Sequence, residues 1–147
     1  MLNNKIKIEF CAISENESFA RSAVSLYVLK LNPSVAEVGD VKTAVSEAVT
    51  NAIVHGYPNG LGKILLEMET IENTLHISVI DYGVGISDIN QALEPFYTTR
   101  PNDERSGMGF TIMKSFMDDV RVESVKGKGT RIYMSKKIQN NNKEYNV

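Results

Sequence analysis

"GKILLEMETIENTLHISVIDYG", residues 62–83, decides the fold class. It reads as two strands joined by a turn at Glu72-Asn73, with no helix between them. Upstream, "KIKIEFCA" alternates polar and apolar residues and is expected to form a strand near residues 5–12. Downstream, "VRVESVKGKGTRIYMSKK" reads as a further hairpin, turned at Gly127-Lys128-Gly129. Strands and helices come in clusters instead of alternating strictly. That order predicts an α+β sandwich, with a mixed or antiparallel sheet and helices on one face, over a doubly wound parallel sheet.

The helical segments flank these strands. "SENESFARSAVSLYVLKLN" can be capped by Ser14 or Asn16, and Phe19, Ala23, Leu26, Val28 and Leu29 supply its apolar face. Pro33-Ser34 breaks the chain. A second long helix is expected from about Val35 to His55, stopped by Gly56 and Pro58. Its core face is Val41, Ala44, Val45, Ala48, Val49, Ala52 and Ile53, at helical spacing. A short helical piece is expected near residues 88–93. "PFYTTRPNDERSG" is a long irregular stretch of the kind that acts as a lid, and "MGFTIMKSFMDDV" starts a helix at the Gly107–Gly109 glycines.

With 147 residues the chain suits one domain, its core spanning about residues 5–137 and a polar tail occupying 138–147. Hydrophobic residues make up 42% and charged residues 23%, as in ordinary soluble domains. A net charge of −2 makes no electrostatic case for nucleic acid or an anionic membrane. The single Cys11 forms no internal disulfide, and no Cys/His cluster points to zinc. A signal peptide and a membrane span are both lacking, so a cytoplasmic location is expected.

Chemistry enters with a row on the second helix. Glu47, Asn51 and His55 recur every four residues on the border of the apolar face. A polar helical row is ordinarily a solvated flank. Asn and His are indifferent helix formers, however, and poor filler for such a flank. His55 sits at the helix end, where an imidazole interacts with the C-terminal dipole. An Asn oxygen together with nucleotide phosphates can hold Mg²⁺, and a neighbouring Glu can orient or deprotonate a nucleophile.

Three glycine-bearing stretches follow: "DYGVGIS", "RSGMGFT" and "GKGT". Taken singly each is a turn, and "GKGT" reads as the hairpin turn. In "RSGMGFT" the glycines stand immediately before a helix, where backbone N–H groups and the helix dipole can hold an anion. Neither a Walker loop nor a Rossmann fingerprint is present. Asp81 stands at a strand end, where it either caps the strand through an Asx turn or accepts from an amino group such as adenine's.

In this order, Glu47-x-x-x-Asn51, Asp81-x-Gly83-x-Gly85, Gly107-x-Gly109 and Gly129-Thr130 resemble the GHKL ATP-binding family. The resemblance covers nearly the whole chain and implies a two-layer α/β sandwich of the Bergerat type. The wording of "SENESFAR", "SEAVTNAIVHGY", "PFYTTRP" and "ERSGMGFTIMKSFMD" is similar to the sporulation-type bacterial anti-sigma serine kinases.

By that resemblance Glu47 is the catalytic base aimed at a serine hydroxyl and Asn51 the Mg²⁺ ligand. Asp81 binds the adenine amino group, backed by Thr130, while Gly83 and Gly85 let the chain bend around the base. Thr98, Thr99 and Arg100 lie in an ATP lid. Ser106, Gly107, Met108, Gly109 and Phe110 hold the phosphates. Arg105 either places charge near the γ-phosphate or braces the lid. Arg21, on the first helix, is a partner contact. The resemblance further implies ATP and Mg²⁺, a sigma factor of the sporulation (F) type as target, and an anti-anti-sigma protein as serine substrate. It also implies a homodimer. A non-catalytic ATP-dependent sigma-binding module and a stress-response-type anti-sigma kinase are the alternatives, and intact Glu47 argues against the first.

Overall fold

The structure, a computed structural model, describes residues 3–94 and 108–139. Its strands are β1 (Asn4–Cys11), β2 (Lys63–Ile71), β3 (Thr74–Asp81), β4 (Asp119–Val125) and β5 (Gly129–Lys137). They form a single sheet in the order β1-β2-β3-β5-β4. All four pairings are antiparallel, so the sheet of the described residues is not mixed. The helices are α1 (Glu15–Val28), α2 (Val35–Asn51), α3 (Ile89–Ala92) and α4 (Gly109–Phe116). The α+β reading holds because each hairpin closes on itself. Ile71 faces Thr74 across Glu72 and Asn73, with Glu72 taking a φ of 55° in place of the glycine usual there.

One sheet face carries the core. Across the register, Leu66 stands beside Ile8 and Val79, and Val79 beside Ile132. The neighbouring column runs through Met68, Ile77 and Met134. All of these except the partly buried Ile8 are fully or almost fully buried. Period-two alternation sends Glu67, His76, Ser78, Arg131 and Tyr133 to the other face. There Arg131 bonds Ser78 at 3.1 Å and approaches Glu67 at 3.7 Å, and His76 Nδ1 lies 2.6 Å from the Tyr133 hydroxyl.

Helix α2 packs against both α1 and α4. Val41, Ala44, Val45, Ala48 and Val49 are fully buried, as their spacing requires, while Ile53 is only partly buried. The helix starts in a capping box: Glu37 N–H donates to Ser34 Oγ at 3.0 Å and Ser34 N–H to Glu37 Oε1 at 2.9 Å. The α-geometry ends at Asn51, four residues before the expected end, and Ala52–Gly56 form a wider π-turn.

Two expectations are corrected. The buried face of α1 is Ala20, Val24, Tyr27 and Val28, whereas Phe19, Leu26 and Leu29 are 55%, 70% and 53% exposed. Of the expected apolar face only Val28 is buried, because α1 turns the adjacent stripe of Ala20, Val24, Tyr27 and Val28 inward. Ile138, assigned to the tail, is buried, and its N–H donates to Asn73 O at 2.8 Å. The core therefore runs on past residue 137. Residues 140–147 of the tail lie outside the described residues.

Ser14 occupies the N-cap position of α1 without a side-chain cap bond, and Asn16 Nδ2 instead donates to Cys11 O at 2.9 Å. The two caps therefore differ measurably. Ser34→Ala should lower stability by about 1 kcal/mol in urea denaturation. Ser14→Ala should stay within about 0.5 kcal/mol of the parent.

Candidate functional site

The row on α2 is split by the helix itself. Glu47 and Asn51 sit one turn apart, half-buried, beside the fully buried Ala44, Ala48 and Val49. Beyond Asn51 the wider i→i+5 turn breaks the four-residue register, so His55 leaves the row. Local π-geometry, invisible in the spacing, is what separates His55 from the other two.

Glu47 faces the start of α4. A side-chain carbon on Gly109 would lie 3.4 Å from Glu47 Oε2. At the head of α4, Ile112 N–H donates to Met108 O at 2.9 Å, and the amides of Gly109, Phe110 and Thr111 make up the first turn. Such first-turn amides and the helix dipole favour an anion. Met108 is half-buried just ahead of them. Phe110 is buried in the core, so only its backbone can serve a ligand there.

Asp81 closes β3 at the other end of the site, opposite Ile64 on β2 and Thr130 on β5. Its residue is 4% exposed, so the carboxylate is enclosed on the core side of the sheet. Burial pushes its pKa above the usual carboxylate value, and the amides of Gly83 and Thr130 pull it back down. Gly83 N–H donates to Oδ1 at 3.0 Å. That is an Asx turn, so the strand-capping role of Asp81 is real, and the buried carboxyl is placed by it.

The glycines here serve the protein's own backbone. A side-chain carbon on Gly83 would stand 1.8 Å from Gly56 O, and one on Gly85 (φ 74°) 2.3 Å from Val125 O. Val84 N–H donates to Gly56 O at 2.9 Å, and Gly127 N–H to Val84 O at 2.6 Å. The Ser124 hydroxyl accepts from Ile86 N–H at 2.7 Å and lies 2.8 Å from Thr130 Oγ1. Gly129 is more than the hairpin turn expected of "GKGT", because a side-chain carbon there would meet Asp81 O at 2.1 Å. Tyr57 and Ser124 escape the sequence reading, which gives Gly56 only as a helix stop. Only a tertiary approach gives each its role.

Arg21 lies on α1, half-exposed, with Nε 3.9 Å from Glu17. Glu17 in turn accepts a hydrogen bond from Ser46, the residue before Glu47. Thr98, Thr99, Arg100, Arg105, Ser106 and Gly107 lie outside the described residues.

Residues 15–136 match the Histidine kinase-like ATPase domain family. The chain belongs to that family. Within it, the chain is 56% identical to the anti-sigma F factor of Clostridium acetobutylicum over 138 residues, 94% of this chain and 96% of that protein. It is 54% identical to the anti-sigma F factor of Clostridium beijerinckii, over 94% and 97% of the two chains. The fold is similar to the RsbU and RsbW domains of Rv1364c from Mycobacterium tuberculosis, with TM-score 0.68 and 17% identity. That match covers 92% of this chain and 32% of the other. The mycobacterial sensor histidine kinase MprB has TM-score 0.58 and 16% identity, over 95% and 99% of the chains. As a histidine kinase-like ATPase domain of the anti-sigma F kind, the chain is an ATP-binding, kinase-like protein. No helix among its described residues is long and apolar enough to cross a membrane.

Asp81 carries a signed pH dependence. A buried carboxyl with a raised pKa stabilises the fold below its unfolded value, and that contribution is lost as pH rises through the folded value. Asp81→Asn should therefore gain stability relative to the parent as pH rises above the ordinary carboxylate value of about 4. Paired urea titrations at several pH values measure the difference. Gly83→Ala should cost about 1–3 kcal/mol, because the Gly56 carbonyl cannot give way cheaply.

Proposed function

We propose that this chain is a cytoplasmic, ATP- and Mg²⁺-dependent anti-sigma factor. It holds a sporulation sigma factor of the F type and phosphorylates a serine of its anti-anti-sigma antagonist. One observation carries the kinase part: the Glu47 carboxylate stands against Gly109 at the head of α4, one turn from Asn51 on the same helix. The names of the relatives, anti-sigma F factors at 48–56% identity, support the sigma-directed part.

Each residue takes a role that its surroundings allow. Asp81, buried and oriented by two amides, accepts from the adenine amino group, with Thr130 beside it. Gly83 and Gly85 hold the loop in the bend that surrounds the base. The amides of the 106–110 segment take the phosphates, Thr98, Thr99 and Arg100 serve the lid, and Arg105 either places charge near the γ-phosphate or braces the lid.

The donor set also suits the metal. Mg²⁺ asks for hard oxygen ligands and keeps several waters, and the carboxamide oxygen of Asn51 meets that need. When bound, the metal neutralises charge on the phosphate oxygens. Glu47 accepts the proton of the serine hydroxyl as the serine oxygen bonds to the γ-phosphorus. The bond from that phosphorus to the bridging β–γ oxygen breaks, and ADP leaves. A carboxylate base is retained on this helix, which favours a kinase over a module that only binds ATP.

The exposed Phe19 and Leu26 on α1 and Leu29 just past its end support a homodimer or partner surface, since a row of apolar side chains in water is what an interface covers. Arg21, on the same helix, contacts the sigma factor or the substrate.

Incubation with labelled ATP, Mg²⁺ and the anti-anti-sigma protein tests the reading. Phosphoserine is expected. Sigma binding without phosphoserine would reject the kinase role, and steady phosphate release without substrate would make the protein a hydrolase. Glu47→Gln should slow transfer by about 10²–10⁴-fold, while calorimetry shows ATP affinity largely kept. Asn51→Ala should lose the Mg²⁺-dependent part of that affinity.

A further inference from the structure

Tyr57 follows the π-turn and is 9% exposed, and neither its position nor its residue type marks it as functional. Its hydroxyl donates to Lys63 O at 2.5 Å and accepts from Tyr82 N–H at 2.7 Å. The β2–β3 register pairs Ile64 with Asp81. One step further along the ladder, the same register would pair Lys63 with Tyr82. The two atoms that a ladder bond would join there, Lys63 O and Tyr82 N, are the two that the phenol bridges. The hydroxyl is thus inserted between the strands immediately beyond Asp81.

We infer that Tyr57 is a positioning residue for recognition of the nucleotide base, acting by splaying β2 from β3 so that the Asp81 loop leaves the sheet at a fixed angle. Three further observations agree. The ring lies over Gly62 in the space a side chain there would take, since a side-chain carbon on Gly62 would fall 2.1 Å from Tyr57 Cε1. The preceding residue binds the same loop, Gly56 O accepting from Val84 N–H at 2.9 Å. A side-chain carbon on Gly56 would also lie 2.8 Å from the Asp81 carboxyl carbon. Segment 56–57 therefore holds the loop on both sides of Gly83. Through Lys63, the phenol also ties that loop to the start of β2.

Without the hydroxyl, Tyr82 N–H and Lys63 O are left to bond each other directly. The ladder then zips one step further and draws the chain after Asp81 toward β2. The carboxyl turns with it. Glu47 and Asn51, on α2, are not moved by this change.

The inference rests on the proposed ATP-dependent activity, and the experiment separates the two. Tyr57→Phe keeps the ring and deletes only the hydroxyl. With the serine substrate, the variant should show a KM for ATP raised about tenfold and kcat at saturating ATP within about twofold of the parent. Its preference for ATP over GTP should fall by a similar factor, which general loosening of the fold would not produce. An unchanged KM and an unchanged ATP preference in a folded variant would overturn the inference and leave the functional reading intact. Failure of the parent protein to bind ATP would overturn both. Hydrogen exchange in the parent keeps the bridge testable should the variant not fold. The Tyr82 amide, one position past the ladder, should be protected like those of β3, and fast exchange there would overturn the inference.

Discussion

Gly56 O accepts a hydrogen bond from Val84 N–H, and a single side-chain carbon on Gly83 would stand 1.8 Å from that oxygen. The end of the long helix and the end of a central strand are therefore in backbone contact, with no side chain between them. Close approach of this kind is open only to glycine. It brings α2, which carries Glu47 and Asn51, against the strand end that carries Asp81. Gly129 repeats the device from the other side, with its backbone against Asp81 O. Backbone thus closes on Asp81 from both sides, Gly56 against its carboxyl and Gly129 against its main-chain carbonyl.

The same helix serves the core and the site, and the core sets its rotation. Val41, Ala44, Val45, Ala48 and Val49 are all fully buried, so α2 cannot turn about its axis without exposing apolar surface. Glu47 and Asn51 lie on the margin of that face and inherit its rigidity. The capping box at Ser34 and Glu37 anchors the far end, and Glu37 Oε2 also accepts from Gln139 N–H at 2.9 Å. Placement of the functional row is therefore a consequence of packing. Its ending is a consequence of the π-turn, which widens the helix just before the glycine that must meet the loop.

Much of this was legible because it is periodic. Alternation along 62–81 and 129–137 assigns the buried column and puts Asp81 on the core side of its strand. The four-residue spacing of Glu47 and Asn51 likewise survives folding intact. The α1 face was misread for a different reason. Phe19, Leu26 and Leu29 are as apolar as any core residue, yet α1 buries the adjacent stripe of Ala20, Val24, Tyr27 and Val28. Apolar residues lie on both stripes, and only the neighbouring helix selects one.

Strand, helix and hairpin order follow from local pattern, since each hydrophobic period and each turn residue acts within a few positions of itself. The motif residues Glu47, Asn51, Asp81, Gly83 and Gly85 are visible at that range too. Tyr57, Ser124 and the loop contact of Gly56 are not. Ser124 reaches Ile86 and Thr130 across a hairpin, and the Tyr57 hydroxyl joins Lys63 to Tyr82. Such contacts form only once the sheet and helix layer have closed on each other, because nothing in a tyrosine or serine, read along the chain, says which distant amide it will meet.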